Sequence, residues 1–182
     1  MREAIGLMEF NSIAKGIEVT DTLLKASEVK LLFSSPICPG KYLIIITGEV
    51  AAVQNSIDDG KKISAGFLID VNVIPQVHEK VFPAIAGTTD ITEMGAVGVI
   101  DAYSSVSAVV AADKAVKTAD VELVEVRLAR ALGGKAFVII TGEVADVRSA
   151  VQGGVDAIKE EGLLLGTVII PSPHPELKNI LM

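Results

Sequence analysis

The feature that most constrains this chain is that it is written twice. Tyr42-Leu43-Ile44-Ile45-Ile46-Thr47-Gly48-Glu49-Val50-Ala51-Ala52-Val53 returns as Ala136-Phe137-Val138-Ile139-Ile140-Thr141-Gly142-Glu143-Val144-Ala145-Asp146-Val147. Upstream, Ala4-Ile5-Gly6 returns as Ala96-Val97-Gly98; downstream, Ile74-Pro75-Gln76-Val77-His78 returns as Ile170-Pro171-Ser172-Pro173-His174. Similarity at this period means one supersecondary unit used twice. The offset between equivalent residues grows from 92 to 96, so the insertions fall between the shared blocks, where loops belong. Each copy is about 90 residues long, a workable size for one small domain. Residues 1–88 and 93–182 are the expected domains, and Ala86-Gly87-Thr88-Thr89-Asp90-Ile91-Thr92-Glu93 has the composition of the linker between them.

Within the first copy, Ala4 to Phe10 reads as a strand, and Asn11 or Ser12 can cap the helix that follows. Ile13, Ile17, Thr20 and Leu24 recur at helical spacing up to about Ser27. Val29 to Phe33 and Tyr42 to Ile46 read as two further strands, with a loop between them. Thr47-Gly48-Glu49 reads as a helix start, with Thr as cap and Glu near the positive dipole end. Gly66 to Ile74 is a fourth strand, stopped by Pro75, and Gln76 to Ile85 a short helix. The second copy repeats the order, which is the β-α-β-β-α-β of a ferredoxin-like unit. The expected fold class is therefore α/β of the α+β type, a tandem duplication of one ferredoxin-like domain.

Half of the residues are hydrophobic, yet the longest apolar runs are far too short to span a bilayer. A membrane partner is not expected. Met1-Arg2-Glu3-Ala4-Ile5 carries no secretory pattern, and a single cysteine suits a reducing compartment. A net charge of −7 argues against nucleic acid as a partner. High hydropathy without a membrane segment is what subunit interfaces require, so an oligomer is expected.

The chain has no P-loop, no G-x-G-x-x-G after a strand, no H-E-x-x-H and no C-x-x-C. His78 and His174 recur in both copies with nothing acidic or thiol-bearing at ligand spacing, and read as structural. Glu49 and Glu143 are explained by helix N-termini, and Lys25 and Lys117 by helix C-termini. An enzyme is not expected. What remains is the loop Ser34-Ser35-Pro36-Ile37-Cys38-Pro39-Gly40-Lys41, with the chain's one thiol. Pro36 and Pro39 stiffen it, and Cys38-Pro39-Gly40-Lys41 reads as a type II turn. A lone cysteine is most often a small buried hydrophobe. Here, however, the loop equivalent to Ser34–Gly40, Arg127 to Gly134, is longer, holds two arginines and lacks cysteine, so one loop of the pair has been specialised.

Ala4 to Glu9, Asp21-Thr22-Leu23-Leu24-Lys25-Ala26, Pro39-Gly40-Lys41, Thr47-Gly48-Glu49-Val50 and Ile74-Pro75-x-x-His78 resemble the shell proteins of bacterial microcompartments, whose repeating unit is the BMC domain. The resemblance covers both halves, from residue 4 to residue 182. It is closest to the propanediol-utilisation type of tandem shell protein, through Ile37-Cys38-Pro39-Gly40-Lys41. It implies a homotrimer that imitates a hexamer, located in the compartment shell within the cytoplasm. It further implies a [4Fe-4S] cluster in the central pore, with Cys38 from three subunits as metal ligands and Pro36, Ile37, Pro39 and Gly40 as the pore loop. The implied task is electron or cluster transfer across the shell, with encapsulated redox enzymes as partners. The family's shell-edge lysine falls on Lys25 and Lys117, facing neighbouring shell proteins in a sheet. Its Arg after the strand-ending Pro is missing from both copies. Two alternatives stay open: a plain shell tile with a small-molecule pore, and a soluble ferredoxin-like ligand-binding regulatory protein.

Overall fold

The computed structural model describes residues 4–181. Met1, Arg2, Glu3 and Met182 lie outside the described residues, as does the part of the N-terminal reading that falls on them. The chain divides into two compact units. The first runs to Val77 and takes in Ala129–Gly134; the second holds His78–Leu128 and the chain from Lys135 onward.

The first unit contains β1 (Ala4–Phe10), α1 (Ile13–Ala26), β2 (Lys30–Ile37), β3 (Lys41–Gly48), α2 (Val50–Ile63) and β4 (Leu68–Ile74). Its sheet is antiparallel with strand order β2-β3-β1-β4. This order explains why the sequence does not alternate along β1 and β3. Both are central strands, buried almost throughout, and a strand covered on both faces reads as a continuous apolar run. Ser12 caps α1, its Oγ accepting the Lys15 N–H at 3.3 Å. Met8, Phe10, Leu23, Ile44, Ile46 and Ile57 form the centre of the core.

The second unit contains α3 (Val81–Ala86), β5 (Ala96–Ala102), α4 (Ser105–Thr118), β6 (Val121–Arg127), β7 (Ala136–Gly142), α5 (Val144–Ile158), β8 (Leu164–Ile170) and α6 (Pro175–Leu181). Its sheet order, β6-β7-β5-β8, repeats that of the first unit. Both units also share two register shifts in equivalent places: between Leu31 and Phe33 on β2 and between Leu123 and Glu125 on β6, and again between Glu9 and Phe10 on β1 and between Asp101 and Ala102 on β5. Ser104 caps α4, accepting from the Val106 and Ser107 N–H groups.

Four expectations need correction. The first domain does not run to residue 88: the chain after Val77 packs with the second unit, where Val81 and Ala84 are buried. The short helix expected from Gln76 occupies only Val81–Ala86. The strand expected to end at Phe33 continues to Ile37, with Ser34, Ser35, Pro36 and Ile37 paired to Ile44, Leu43, Tyr42 and Lys41. Pro36 is tolerated there because β2 is an edge strand, where a residue without an N–H loses no ladder bond. Finally, Thr47 does not cap α2 as expected, and its equivalent Thr141 does not cap α5 either; the helices begin after Glu49 and Glu143. Their hydroxyls instead donate to the Ala4 and Ala96 carbonyls at 2.8 and 2.9 Å, tying β3 to β1 and β7 to β5.

Candidate functional site

Extension of β2 to Ile37 makes the cysteine loop much tighter than expected. The turn is Ile37-Cys38-Pro39-Gly40, closed by the Gly40 N–H donating to the Ile37 carbonyl at 3.1 Å. It therefore starts one residue earlier than the expected type II turn. The Cys38–Pro39 peptide is cis, with Pro39 at the third position, which defines a type VI turn. Gly40 has φ +92°, in the region that favours glycine. Ile37 is buried and anchors the turn, Pro39 and Gly40 are exposed, and Cys38 is half-buried between them.

The segment Ala129–Gly134, part of the same compact unit, packs along this turn. The Cys38 N–H donates to the Ala129 carbonyl at 2.8 Å, and the Ala131 N–H donates to Cys38 Sγ at 3.3 Å. Gly134 has φ +87°, and a Cβ there would lie 2.7 Å from Pro39 Cδ, so only glycine lets the segment approach. The Arg130 guanidinium lies over the Phe33 ring at 4.8 Å, fixing the segment to β2. Cys38 is thus held at its own N–H and at its sulfur. Sequence reasoning missed this support because it comes from residues some ninety positions away; the difference between the two equivalent loops was its one visible sign.

The donor set can be tested against the expected cluster. A thiol at a turn tip, with a backbone N–H donated to its sulfur, has the chemistry of an iron–sulfur ligand, since such hydrogen bonds tune these clusters. Cys38 is the one thiol of the chain. Among the described residues, no three His, Cys, Asp or Glu side chains come together as a metal site. The residues present fit one corner of a cluster, and further corners would have to come from further copies.

Lys25 and Lys117 both lie in the last turn of their helices, where a cation meets the negative dipole end. Their surroundings differ. Lys25 Nζ pairs with Asp21 at 2.6 Å on an open surface, both side chains being mostly exposed. Lys117 Nζ pairs at the same distance with Asp113, which is buried and whose other oxygen accepts the His78 N–H at 2.8 Å. The Asp partners were missed, although Asp-x-x-x-Lys in both copies is the i,i+4 signal for such a pair. His78 and His174 do the same structural work: each Nδ1 accepts a backbone N–H two residues on, from Lys80 and Glu176, at 3.3 Å.

Two copies of one antiparallel sheet-and-helix unit in a single chain, with a buttressed thiol turn on the first copy only, define a tandem ferredoxin-like protein with one specialised loop. The comparisons give that class its family. The chain belongs to the BMC domain family, which matches residues 4–77 and 96–173, and is a tandem shell protein of bacterial microcompartments. That places it in the microcompartment shell in the cytoplasm. It is 41% identical to the bacterial microcompartment shell protein PduT of Citrobacter freundii, over 97% of this chain and 96% of that one. The shell protein EutM of Salmonella typhimurium is 36% identical over 86 residues, covering 44% of this chain but 90% of EutM, so one half here corresponds to nearly a whole protein there. Among solved structures, a microcompartments protein from Desulfitobacterium hafniense DCB superposes with a TM-score of 0.86 at 49% identity, over 98% of this chain and 99% of that one. Among the described residues no helix is long and apolar enough to cross a membrane.

Proposed function

We propose that this shell protein works as a homotrimeric tile imitating a hexamer, in which three Cys38 turns meet at a central pore and hold a [4Fe-4S] cluster. The observation that carries the reading is the buttressed Cys38 turn itself. A chain with one thiol can furnish several cluster ligands only through symmetry, and two unequal halves alternating around a ring give three-fold symmetry. Cys38 would supply the thiolates; Ile37, Pro36, Pro39, Gly40 and the Ala129–Gly134 segment would orient them. A bound cluster would supply one-electron transfer across the shell, with redox enzymes inside the compartment as partners. Lys25 and Lys117 mark the edges that meet neighbouring tiles.

The test is anaerobic purification or reconstitution, followed by iron and acid-labile sulfide assays and electron paramagnetic resonance of the reduced protein. Wild type should hold a cluster, and Cys38→Ser should lose iron and colour while remaining a trimer, because oxygen is a much poorer soft ligand. Equal iron in both proteins, or none in either, overturns the cluster. A plain tile with a small-molecule pore then takes its place.

A further inference from the structure

The two copies build the same sheet, so a charged contact present in one and missing from the other is not something the fold requires. Such a contact stands at the foot of the Cys38 turn. Glu9, on the central strand β1, has a side chain that is 0% exposed, and its carboxylate pairs with Lys41 Nζ at 2.7 Å. In register Glu9 lies between Leu43 on β3 and Asp70 on β4, both of them buried. Lys41 opens β3, two places before Leu43, and so meets Glu9 along the diagonal of the antiparallel pair.

In the second copy the positions of Glu9, Lys41 and Asp70 are held by Asp101, Lys135 and Gly166. Asp101 is half-buried, and Lys135 is exposed and lies before the start of β7. Among the described residues these two make no ion pair. The copy with the thiol has the buried pair, and the copy without the thiol lacks it.

A buried ion pair is weak evidence for stability, because desolvating both charges offsets their attraction and an apolar pair of similar volume serves a core as well. What the pair does is hold two particular atoms together. Lys41 is paired in register with Ile37, and these two residues bracket Cys38-Pro39-Gly40. Strand β2 is at the sheet edge, so the turn hangs from β3 alone. Its tip is gripped by Ala129 and Ala131, through the Cys38 N–H and the Cys38 sulfur. Its base is tied to β1 by Lys41 and Glu9.

We propose that Glu9 is a positioning residue for the Cys38 sulfur, acting through Lys41. The purpose of the clamp rests on the cluster reading above, since three sulfurs from three chains must then stand at cluster spacing. The clamp itself is a property of one chain.

The experiment uses the full chain, first without metal, and follows amide hydrogen exchange by mass spectrometry in peptides spanning Ile37–Lys41. Glu9→Asp installs the residue that the second copy holds at this position, so the sheet accommodates it, and it draws the carboxylate back by one methylene. Glu9→Gln combined with Lys41→Met removes both charges at similar volume. Both variants should speed exchange of the Cys38 and Gly40 amides, the double variant by on the order of tenfold, with the amides of β5 and β7 at their wild-type rates. Lys41→Arg keeps a cation within reach and should exchange as wild type does. Each protein is then reconstituted anaerobically with ferrous iron and sulfide, and the double variant should hold less iron than wild type with little change in unfolding midpoint. Unchanged exchange at Cys38 and Gly40 in both variants overturns the clamp, whatever the iron content. Faster exchange with full iron overturns the positioning role, because the sulfur then stands correctly without the clamp. Wild type without iron overturns the cluster reading, while faster exchange in the variants still upholds the clamp.

Discussion

Replacing Asp113 with Ala should destabilise the second unit strongly, while the same change at Asp21 in dilute, unassembled protein should scarcely register. Asp113 is buried and holds two partners, the His78 N–H at 2.8 Å and Lys117 Nζ at 2.6 Å. Truncation leaves a partly buried backbone N–H without its acceptor, which costs about 1–3 kcal/mol. Lys117 can turn to water, so its lost pair adds only about 0.5–1 kcal/mol. The sum is roughly 1.5–4 kcal/mol, and at about 2–4 °C per kcal/mol for a chain of this size the unfolding midpoint should fall by about 3–16 °C. Asp113→Asn keeps an oxygen for the His78 N–H and should recover about half of that loss. The Asp21–Lys25 pair is an exposed i,i+4 contact worth about 0.2–0.5 kcal/mol, near the limit of detection. Scanning calorimetry on dilute protein reads all three variants. Equal midpoints for Asp113→Ala and Asp21→Ala under those conditions would show that the burial of Asp113 has no energetic consequence, and the reasoning would fail.

Three further outcomes are expected. Lys25→Asp should leave fold and trimer intact while abolishing sheets seen by electron microscopy, whereas Lys117→Asp should also lower the unfolding midpoint, since it sets a second carboxylate beside buried Asp113. Pro36→Ala with Pro39→Ala should reduce iron retained per trimer more than it lowers thermal stability, because Pro36 lies on a sheet edge and Pro39 at an exposed turn tip; a matched loss of both would refute a positioning role. The Asp156 carboxyl is held below its usual range, first by the hydrogen bond from Lys159 and then by that from Gln152. A depressed carboxylate stabilises above its unfolded pKa and loses that effect as the pH falls through its folded value. The site is solvent-exposed, so Asp156→Asn should leave the midpoint unchanged within error at neutral pH.

Much of the fold was legible because the sequence states it twice. The strands at Ala4–Phe10 and Ala96–Ala102 are legible at their boundaries, and so is the β-α-β-β-α-β order of both copies; the closing helix α6 is not. The misreadings share a cause: a local signal was overridden by its place in the sheet. Pro36 looks like a loop residue until β2 proves to be an edge strand. Thr47 looks like a cap until its hydroxyl is seen to reach a carbonyl on β1, 43 positions away. The support of Cys38 by Ala129 and Ala131 and the covering of Asp113 by His78 are contacts between segments remote in sequence, which no periodicity encodes. The lone thiol and its two flanking prolines could be read directly; what holds the sulfur in place could not.

The unequal fates of the two lysines follow from the duplication itself. In the first copy the chain goes on past His78 and folds its own continuation over α4 and β6, so the second unit receives its cover within the chain. The equivalent surface of the first unit is open, with Ile17 on α1 56% exposed and Leu32 on β2 48% exposed. The same asymmetry acts on Cys38: only one loop of the pair needs a thiol if three chains meet, because a cysteine in both would place six around one axis. Under the trimer proposed above, one cysteine per chain is enough to place three thiols around one axis.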